Sequence, residues 1–469
     1  MPKSNIPYPL QGLDVYDISS EGKAVARHEG LVVFIEGAVP GDQVDVSVYR
    51  KKNKFAEARV EQITRPSPYR VEPPCQHFGV CGGCKWQNLH YSKQLEFKQK
   101  SIHDGLTRIG HLTYPEPLPI LGCTGQFNYR NKLEFTFSNR RWLSREDMQH
   151  IDQVSEHRGL GFHIPGLFDK VLDITHCHLQ AEPSNAIRNA VRDYALREGL
   201  SFFDLRKQEG FLRTLMLRSS GTGEWMLVLS VFEWKEKELF ALLEFLKQQF
   251  PMLSSIQYTH NPKGNDTLTG LDIKVYHGKD HIEEYMEGLR FKISPRSFYQ
   301  TNSAQAYELY KITRDFAAIE KHHVVYDLYT GTGTIANFVA SRAAKVIGVE
   351  YIEDAVKDAF ENARINGINN TDFYAGDMKN VLNEDFVSRH GKADVIITDP
   401  PRAGMDPNVI EAIKFAAPER LVYVSCNPAT QARDLALLVD QYRIEKMQAV
   451  DMFPQTAHVE NVCLLVRNS

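Results

Sequence analysis

No apolar run in the chain approaches the roughly 18 residues of a membrane span. The opening MPKSNIPYPLQG has no hydrophobic leader core, so a cytoplasmic protein with no membrane partner is expected. Cysteine is scarce and odd in number, 7 in 469 residues; without a secretory signal this argues for reduced thiols or metal ligands over a disulfide framework. A basic excess is also missing. The formal net charge is -4 and the pI near 6.5, so any nucleic-acid contact must use a local basic surface. There are no internal repeats or low-complexity tracts. What remains is an ordinary globular composition, 42% hydrophobic and 24% charged, and a length that suits about three domains.

The most organised stretch is Val324 to Glu350, VVYDLYTGTGTIANFVASRAAKVIGVE. A short apolar run ends in an acid, turns through glycines and restarts as a helix, the pattern of a βαβ nucleotide cradle. Val324 to Tyr326 predict a buried parallel strand, Gly331 and Gly333 a close backbone approach to a ligand, and Thr334 to Ala343 a helix. A second strand, Val346 to Val349, ends at Glu350, 17 residues beyond Gly333. There an acid can accept hydrogen bonds from both ribose hydroxyls of an adenosine-bearing ligand. Gly331-x-Gly333-x-x-Ala336 also fits a dinucleotide fingerprint, so the choice falls to segments downstream.

Ala393 to Thr398 form another apolar strand, ending in Asp399-Pro400-Pro401-Arg402. Two prolines stiffen this loop and leave backbone carbonyls free, which suits a flat amine or a base edge; a plain surface turn is the alternative. Leu421 to Val424 lead into Ser425-Cys426-Asn427-Pro428, so a thiol stands at the carboxyl end of a parallel strand, where open α/β sheets bind ligands. Cys463, in an apolar run, reads instead as core. Tyr442 to Met452 and Val462 to Val466 read as strands joined by a short turn, hence antiparallel. That places Glu460 on the same rim as Asp399 and Cys426.

Asp14 to Ile63 read as five short strands, Val15 to Ile18, Val25 to Arg27, Leu31 to Ile35, Gln43 to Tyr49 and Phe55 to Ile63, a small OB-like barrel. Its hairpin Tyr49-Arg50-Lys51-Lys52-Asn53-Lys54-Phe55 can pair phosphates and stack bases. Cys75, Cys81 and Cys84 follow with spacing C-x5-C-x2-C around Gly82-Gly83, and Cys177 is the best fourth ligand, ahead of His176 and His178. Four thiolates suit tetrahedral zinc or an iron-sulfur cluster, and spacing does not choose between them. Cys123 is left as an unassigned thiol. Leu95 to Ile109 predict a helix. A β-rich α+β layer follows, with helices at Ala186 to Arg197 and Lys235 to Gln249, strands near 133–137, 213–217, 226–232, 254–259 and 273–275, and a polar insertion over Arg140 to Gly161.

Taken together, Ser297-Phe298-Tyr299-Gln300-Thr301-Asn302, Asp327-Leu328-Tyr329, Glu350, Asp399-Pro400-Pro401-Arg402, Ser425-Cys426-Asn427-Pro428 and His458-Val459-Glu460 resemble the RNA (uracil-5)-methyltransferases. The barrel likewise resembles a TRAM domain. One departure is Thr330-Gly331-Thr332-Gly333-Thr334, where Cys, Gly and Asn are the family's pattern. The resemblance implies a class I, Rossmann-like α/β methyltransferase domain over residues 288–469 and a TRAM barrel over 8–66. A cluster segment over 67–92, completed by Cys177, and an α+β central domain over 125–287 make up the rest. It implies S-adenosylmethionine as cofactor, Gln300, Tyr329, Glu350 and Asp399 at the donor and uracil sites, Cys426 as nucleophile and Glu460 as base. It also implies a [4Fe-4S] cluster on Cys75, Cys81, Cys84 and Cys177. The expected partner is RNA, 23S rRNA first and tRNA second, and the chain is expected to act as a monomer. A radical methylthiotransferase, the rival enzyme, needs C-x3-C-x2-C; a non-catalytic RNA-binding protein would leave Cys426 and Glu460 idle.

Overall fold

The computed structural model describes residues 7–468. Its amino-terminal sheet has six strands in the order Tyr8–Asp14, Gln43–Lys51, Phe55–Arg65, Leu31–Glu36, Ala24–His28, Asp17–Ile18. Gln43–Lys51 alternates buried and half-exposed residues over most of its length, the period-2 signature of a strand with one face on a core. This is one strand more than the sequence predicts. Tyr8–Asp14 carries Pro9 and Gly12 and bulges between Leu10 and Leu13, features tolerated because it is an edge strand. The expected strand at Val15 to Ile18 shrinks to Asp17–Ile18.

The carboxy-terminal sheet runs in the order Thr371–Ala375, Lys345–Glu350, Val324–Leu328, Val395–Thr398, Arg420–Ser425, Glu460–Arg467, Tyr442–Val450, Leu118–Leu121. The first five are mutually parallel, and Glu460–Arg467 is antiparallel to both its neighbours. This is the class I methyltransferase arrangement, extended by an eighth strand, Leu118–Leu121, that joins Tyr442–Val450 in parallel. The strands are apolar on both faces because each face is covered. Val325, Val346 and Val422 pack under the helices Ser303–Ala317, Thr334–Ala340 and Glu353–Ile365. Tyr326, Ile347 and Tyr423 face the opposite layer, which holds Pro407–Ala416, Pro428–Ala436 and the long helix Tyr91–Arg108. Cys463 is fully buried there.

Between these lies a seven-stranded sheet, Leu167–Asp173, Gly159–Ile164, Lys132–Ser138, Leu212–Ser219, Trp225–Val231, Leu253–His260, Ile273–Gly278, packed on the helices Ser184–Arg197 and Glu236–Gln249. The stretch expected to be a polar insertion contains the short helix Arg145–Gln149 and then gives way to a paired hairpin, Gly159–Ile164 with Leu167–Asp173, which belongs to the sheet. A second hairpin, Ile282–Met286 with Leu289–Ile293, spans the expected division at residues 287 and 288. Its Ile282, Met286, Phe291 and Ile293 are buried in the core of the carboxy-terminal sheet. Among the described residues no helix is long and apolar enough to cross a membrane.

One buried ion pair fastens the long helix to the far end of the sheet. The Lys98 ammonium and the Asp451 carboxylate are both fully buried in contact, and Lys98 also donates to the Phe453 carbonyl at 3.0 Å. Tyr91 donates to the second Asp451 oxygen at 2.7 Å. Burial pulls the Lys98 ammonium below its usual range, while Asp451 pulls it back up. Removing one partner strands the other charge, which costs about 3–5 kcal/mol, whereas an apolar pair can be near neutral. Asp451→Asn is therefore expected to lower the unfolding free energy by an amount of that size, read in urea as a lower midpoint at unchanged slope. The double replacement Lys98→Met with Asp451→Leu should lose less than Asp451→Asn alone.

Candidate active site

After the strand Val324–Leu328 the backbone turns through Tyr329 (φ +62°), Gly331 (φ +56°) and Gly333 (φ +72°). Left-handed backbone disfavours most side chains, so a tyrosine held there marks a constrained loop. At Gly333 a Cβ would lie 2.8 Å from the Ala359 Cβ and 3.0 Å from the Phe373 ring, while at Gly331 it would meet nothing within 4 Å. Gly333 is thus fixed by packing, and Gly331 borders open space. The Glu350 carboxylate, at the end of the next strand, accepts from Gly331 N–H at 3.0 Å and Ile352 N–H at 2.9 Å. Those two donors aim it at the cradle. Beneath the loop Asp327 accepts from the Thr330 hydroxyl and from Ala336 N–H. Burial raises its carboxyl to about 7 against the pull of those bonds, with Glu350 adding to the rise.

Thr332 donates to the Phe298 carbonyl at 3.3 Å, and its hydroxyl lies 3.3 Å from that of Thr334. The cradle is therefore tied to the segment that carries Gln300. Gln300 is buried, and its carbonyl accepts from the Asn131 amide at 2.8 Å. Tyr329 is half-buried; burial, and after it Asp377, Asp434, Asp406 and Glu350, raise its hydroxyl to about 12. Phe298, Tyr351 and Ile352 stand exposed around the cradle.

On the neighbouring strands the same rim carries the remaining groups. Asp399 follows Val395–Thr398, its N–H donating to the Leu328 carbonyl at 3.3 Å. Its carboxyl is raised to about 7 by burial and then by Asp327. Cys426 follows Arg420–Ser425 and is half-buried. Asn427 next to it caps the helix Pro428–Ala436 and donates to the Arg402 carbonyl at 2.9 Å. Burial, then Glu460 and Asp399, push the Cys426 thiol up to about 11, and Arg402 pulls it down. Glu460 is buried and sits well above the carboxylate range, from burial first and Asp399 second, with Arg402 opposing. Asp399, Cys426 and Glu460 are thus brought together, with the nucleotide cradle beside them.

In the sequence Arg402 stands out only as part of the Asp-Pro-Pro-Arg run, and a cation directly after two prolines is the signal that marks it. The structure sets its charge against Cys426, Glu460 and His458. Asp327, an acid at the end of an apolar run, takes a buried polar role. Cys426 and Arg402 open onto a cavity of about 560 Å3.

Cys75, Cys81, Cys84 and Cys177 line a second cavity of about 370 Å3, together with His176 and His178. All four are free thiols. Burial first, and then the neighbouring cysteines, push Cys81 up to about 11 and Cys84 up to about 12. Among the described residues no three of these sulfurs lie within 4.8 Å of one another. Cys123 lies apart, its thiol donating to the Gly125 carbonyl at 3.0 Å and its N–H to the Tyr91 hydroxyl at 2.7 Å.

Residues 271–468 match the family described as tRNA (Uracil-5-)-methyltransferase, and residues 11–60 match the TRAM domain. A Bacteroides thetaiotaomicron protein named as an RNA methyltransferase is 56% identical over 451 residues, covering 96% of this chain and 99% of its own. One from Chlorobaculum tepidum, also named an RNA methyltransferase, is 41% identical over 467 residues, covering 97% and 96%. Among solved structures, the Pyrococcus abyssi tRNA (uracil-54, C5)-methyltransferase in complex with S-adenosyl-L-homocysteine aligns with a TM-score of 0.75 at 29% identity. It covers 97% of this chain and all of that one. With sheet order, rim and relatives in agreement, the chain belongs to the tRNA (uracil-5-)-methyltransferase family and is an S-adenosylmethionine-dependent RNA methyltransferase with an amino-terminal TRAM domain.

Proposed function

We propose that the protein methylates carbon 5 of a uridine in RNA through a covalent adduct on Cys426. The observation that carries this reading is the meeting of a half-buried thiol with a half-buried carboxyl, Asp399, and a buried one, Glu460, beside a glycine cradle. Carbon 5 of uracil is too weak a nucleophile to take a methyl group unaided. The Cys426 thiolate adds to carbon 6, and the electron pair of the 5,6 double bond passes into an enolate. S-adenosylmethionine supplies the electrophilic methyl, and carbon 5 takes it as the methyl-sulfur bond breaks. Glu460 then removes the carbon 5 proton, the double bond re-forms and the thiolate leaves. A carboxylate with high proton affinity suits that task. The thiol, raised in the free protein, is drawn toward ionisation by Arg402 and by the helix amino terminus just beyond Asn427.

Glu350 is proposed to bind the donor's ribose hydroxyls, with Gln300, Tyr329 and Asp399 lining the donor and base pockets. The proposed substrate is 23S rRNA. A tRNA is the second reading, favoured by the name of the Pyrococcus neighbour. The target base must leave its stack, at a cost of a few kcal/mol, so a loop uridine is favoured.

The four cysteines are proposed to hold a [4Fe-4S] cluster. Their sulfurs share one cavity, with no three of them within 4.8 Å of one another. A bound cluster would supply a structural staple. The adjoining Lys85 and Trp86 N–H groups both donate to the Gln455 carbonyl, in the turn that leads to Glu460.

Anaerobically purified protein should be brown and contain iron and sulfide, and Cys84→Ser should lose both; stoichiometric zinc without iron would overturn the assignment. Glu350→Ala should weaken S-adenosylhomocysteine binding in calorimetry by about tenfold or more and leave RNA affinity intact. An unaltered donor affinity would mean the cradle is misread. Cys426→Ala should abolish methyl transfer. Glu460→Gln keeps shape but cannot take the proton, so enzyme joined to RNA should survive denaturing electrophoresis. That band should require S-adenosylmethionine and vanish when Cys426 is also replaced. Normal turnover by Glu460→Gln would refute the base assignment.

A further inference from the structure

The helix Ser184–Arg197 carries an arginine where elementary electrostatics disfavours one. Arg188 is 0% exposed, and an unpaired charge taken out of water is among the costliest groups a fold can hold. Its hydrogen bonds go to neutral acceptors: the Asn185 side-chain oxygen at 2.9 Å, the Thr175 carbonyl at 2.7 Å and the Asn189 side-chain oxygen at 3.1 Å. Its Nε finds no partner. The Phe135 ring, with its centroid 5.2 Å from the guanidinium, offers a quadrupole but no charge. The acids nearby are engaged elsewhere. Asp173 accepts from Leu160 N–H at 2.9 Å and from Arg192 at 3.4 Å, and Glu182 accepts from the Asn185 amide at 2.8 Å and Ala186 N–H at 3.2 Å.

What Arg188 is tied to is Cys177. The Asn185 oxygen that accepts from it also accepts from Cys177 N–H at 2.8 Å, and the Asn185 amide donates to the Cys177 carbonyl at 3.2 Å. Among the groups that favour its charge from a distance, Cys177 leads Asp173 and Glu182. The cavity that holds the four cysteines is lined by a second cation, Arg130, whose Nε is also without a partner. Among the described residues no carboxylate lines that cavity. Four thiolates more than cancel the double positive charge of a zinc ion or of an oxidised [4Fe-4S] core, and leave a net anion. That anion is what Arg188 lacks. We propose that Arg188, supported by Arg130, is the counter-charge of an anionic metal–thiolate group on Cys75, Cys81, Cys84 and Cys177. The inference rests on the cluster reading above and adds the residues that neutralise it. A buried guanidinium favours thiolate over thiol, and because metal is held by the deprotonated sulfur, the same charge raises metal affinity.

The test follows release of metal from anaerobically purified protein under excess EDTA, by the fading of visible absorbance and by iron and zinc content. Arg188→Met should lose its metal about tenfold or more faster than wild type. Arg188→Lys, similar in size to the methionine variant but charged, should hold its metal nearly as well as wild type. Unchanged S-adenosylhomocysteine affinity before the chelator is added reports that both variants are folded. Arg130→Met, at a half-buried position, should shift the rate in the same direction by less, and stands in under the same criterion if Arg188→Met does not fold. Equal rates in wild type and Arg188→Met overturn the counter-charge. So does release from Arg188→Lys as fast as from Arg188→Met, since packing and not charge would then be what matters. Zinc in place of iron, with the same order of rates, overturns the iron-sulfur assignment and leaves the counter-charge standing. Wild-type protein that holds neither metal overturns both.

Discussion

The strand Glu460–Arg467 runs antiparallel between Arg420–Ser425 and Tyr442–Val450, and its register sets Asn461 opposite Ser425 and Glu460 opposite Val450. A parallel strand of that length in the same slot would begin at the other edge of the sheet, roughly 25 Å away at about 3.3 Å per residue. Only the reversed strand can bring its first carboxyl to the rim where Cys426 stands. A buried amide pair fixes the register from behind. Gln431 donates to the Tyr423 and Asn461 carbonyls, and the Asn461 amide donates to the Gln431 side chain at 2.8 Å. Gln431 belongs to the helix that Asn427 caps, so thiol and carboxyl are held by one hydrogen-bonded unit. Buried polar groups satisfied in this way favour one arrangement over slipped alternatives.

Three carboxyls, the buried Asp327 and Glu460 and the half-buried Asp399, crowd this rim, and each is pushed toward its neutral form. Burial leads in every case, and each also feels a neighbouring acid. Arg402 is the cation that offsets them at Glu460 and Cys426. On the proposed reading, a sulfonium donor brings a second positive charge into a pocket built to lack one. Its arrival and the ionisation of the thiol would then assist each other.

Much of the architecture was legible because buried parallel strands are short apolar runs that end in polar residues. Val324, Ala393 and Leu421 begin runs that lead to Asp327, Asp399 and Cys426, and each run contains a parallel strand of the sheet. Other parts were hidden for physical reasons. The buried face of the long helix opens with Gln94 and Lys98, so its first turn carries no apolar periodicity, and the predicted start at Leu95 falls short of Tyr91. Leu118–Leu121 has only four residues and owes its strand form to a partner more than 300 residues away. The hairpin Gly159–Ile164 and Leu167–Asp173 is bounded by polar sequence and gains its strand character from pairing across the sheet. Within the site, cysteine, acid and glycine positions could be named, but the charge balance around Arg402 depends on neighbours that sequence order does not reveal.

The long helix and Leu118–Leu121 come from the first third of the chain, yet their partners, Pro428–Ala436, Tyr442–Val450 and Asp451, lie in the last tenth. During synthesis the barrel can close on its own local pairings, while Ile102, Leu106 and Lys98 must wait for more than 300 residues to emerge. Contacts so distant in sequence form late and leave apolar surface uncovered in the interval. Cys426 and Glu460 therefore come together only late in folding, once the last strand has emerged. A truncated or stalled product would present a closed barrel without the rim that holds Asp399, Cys426 and Glu460.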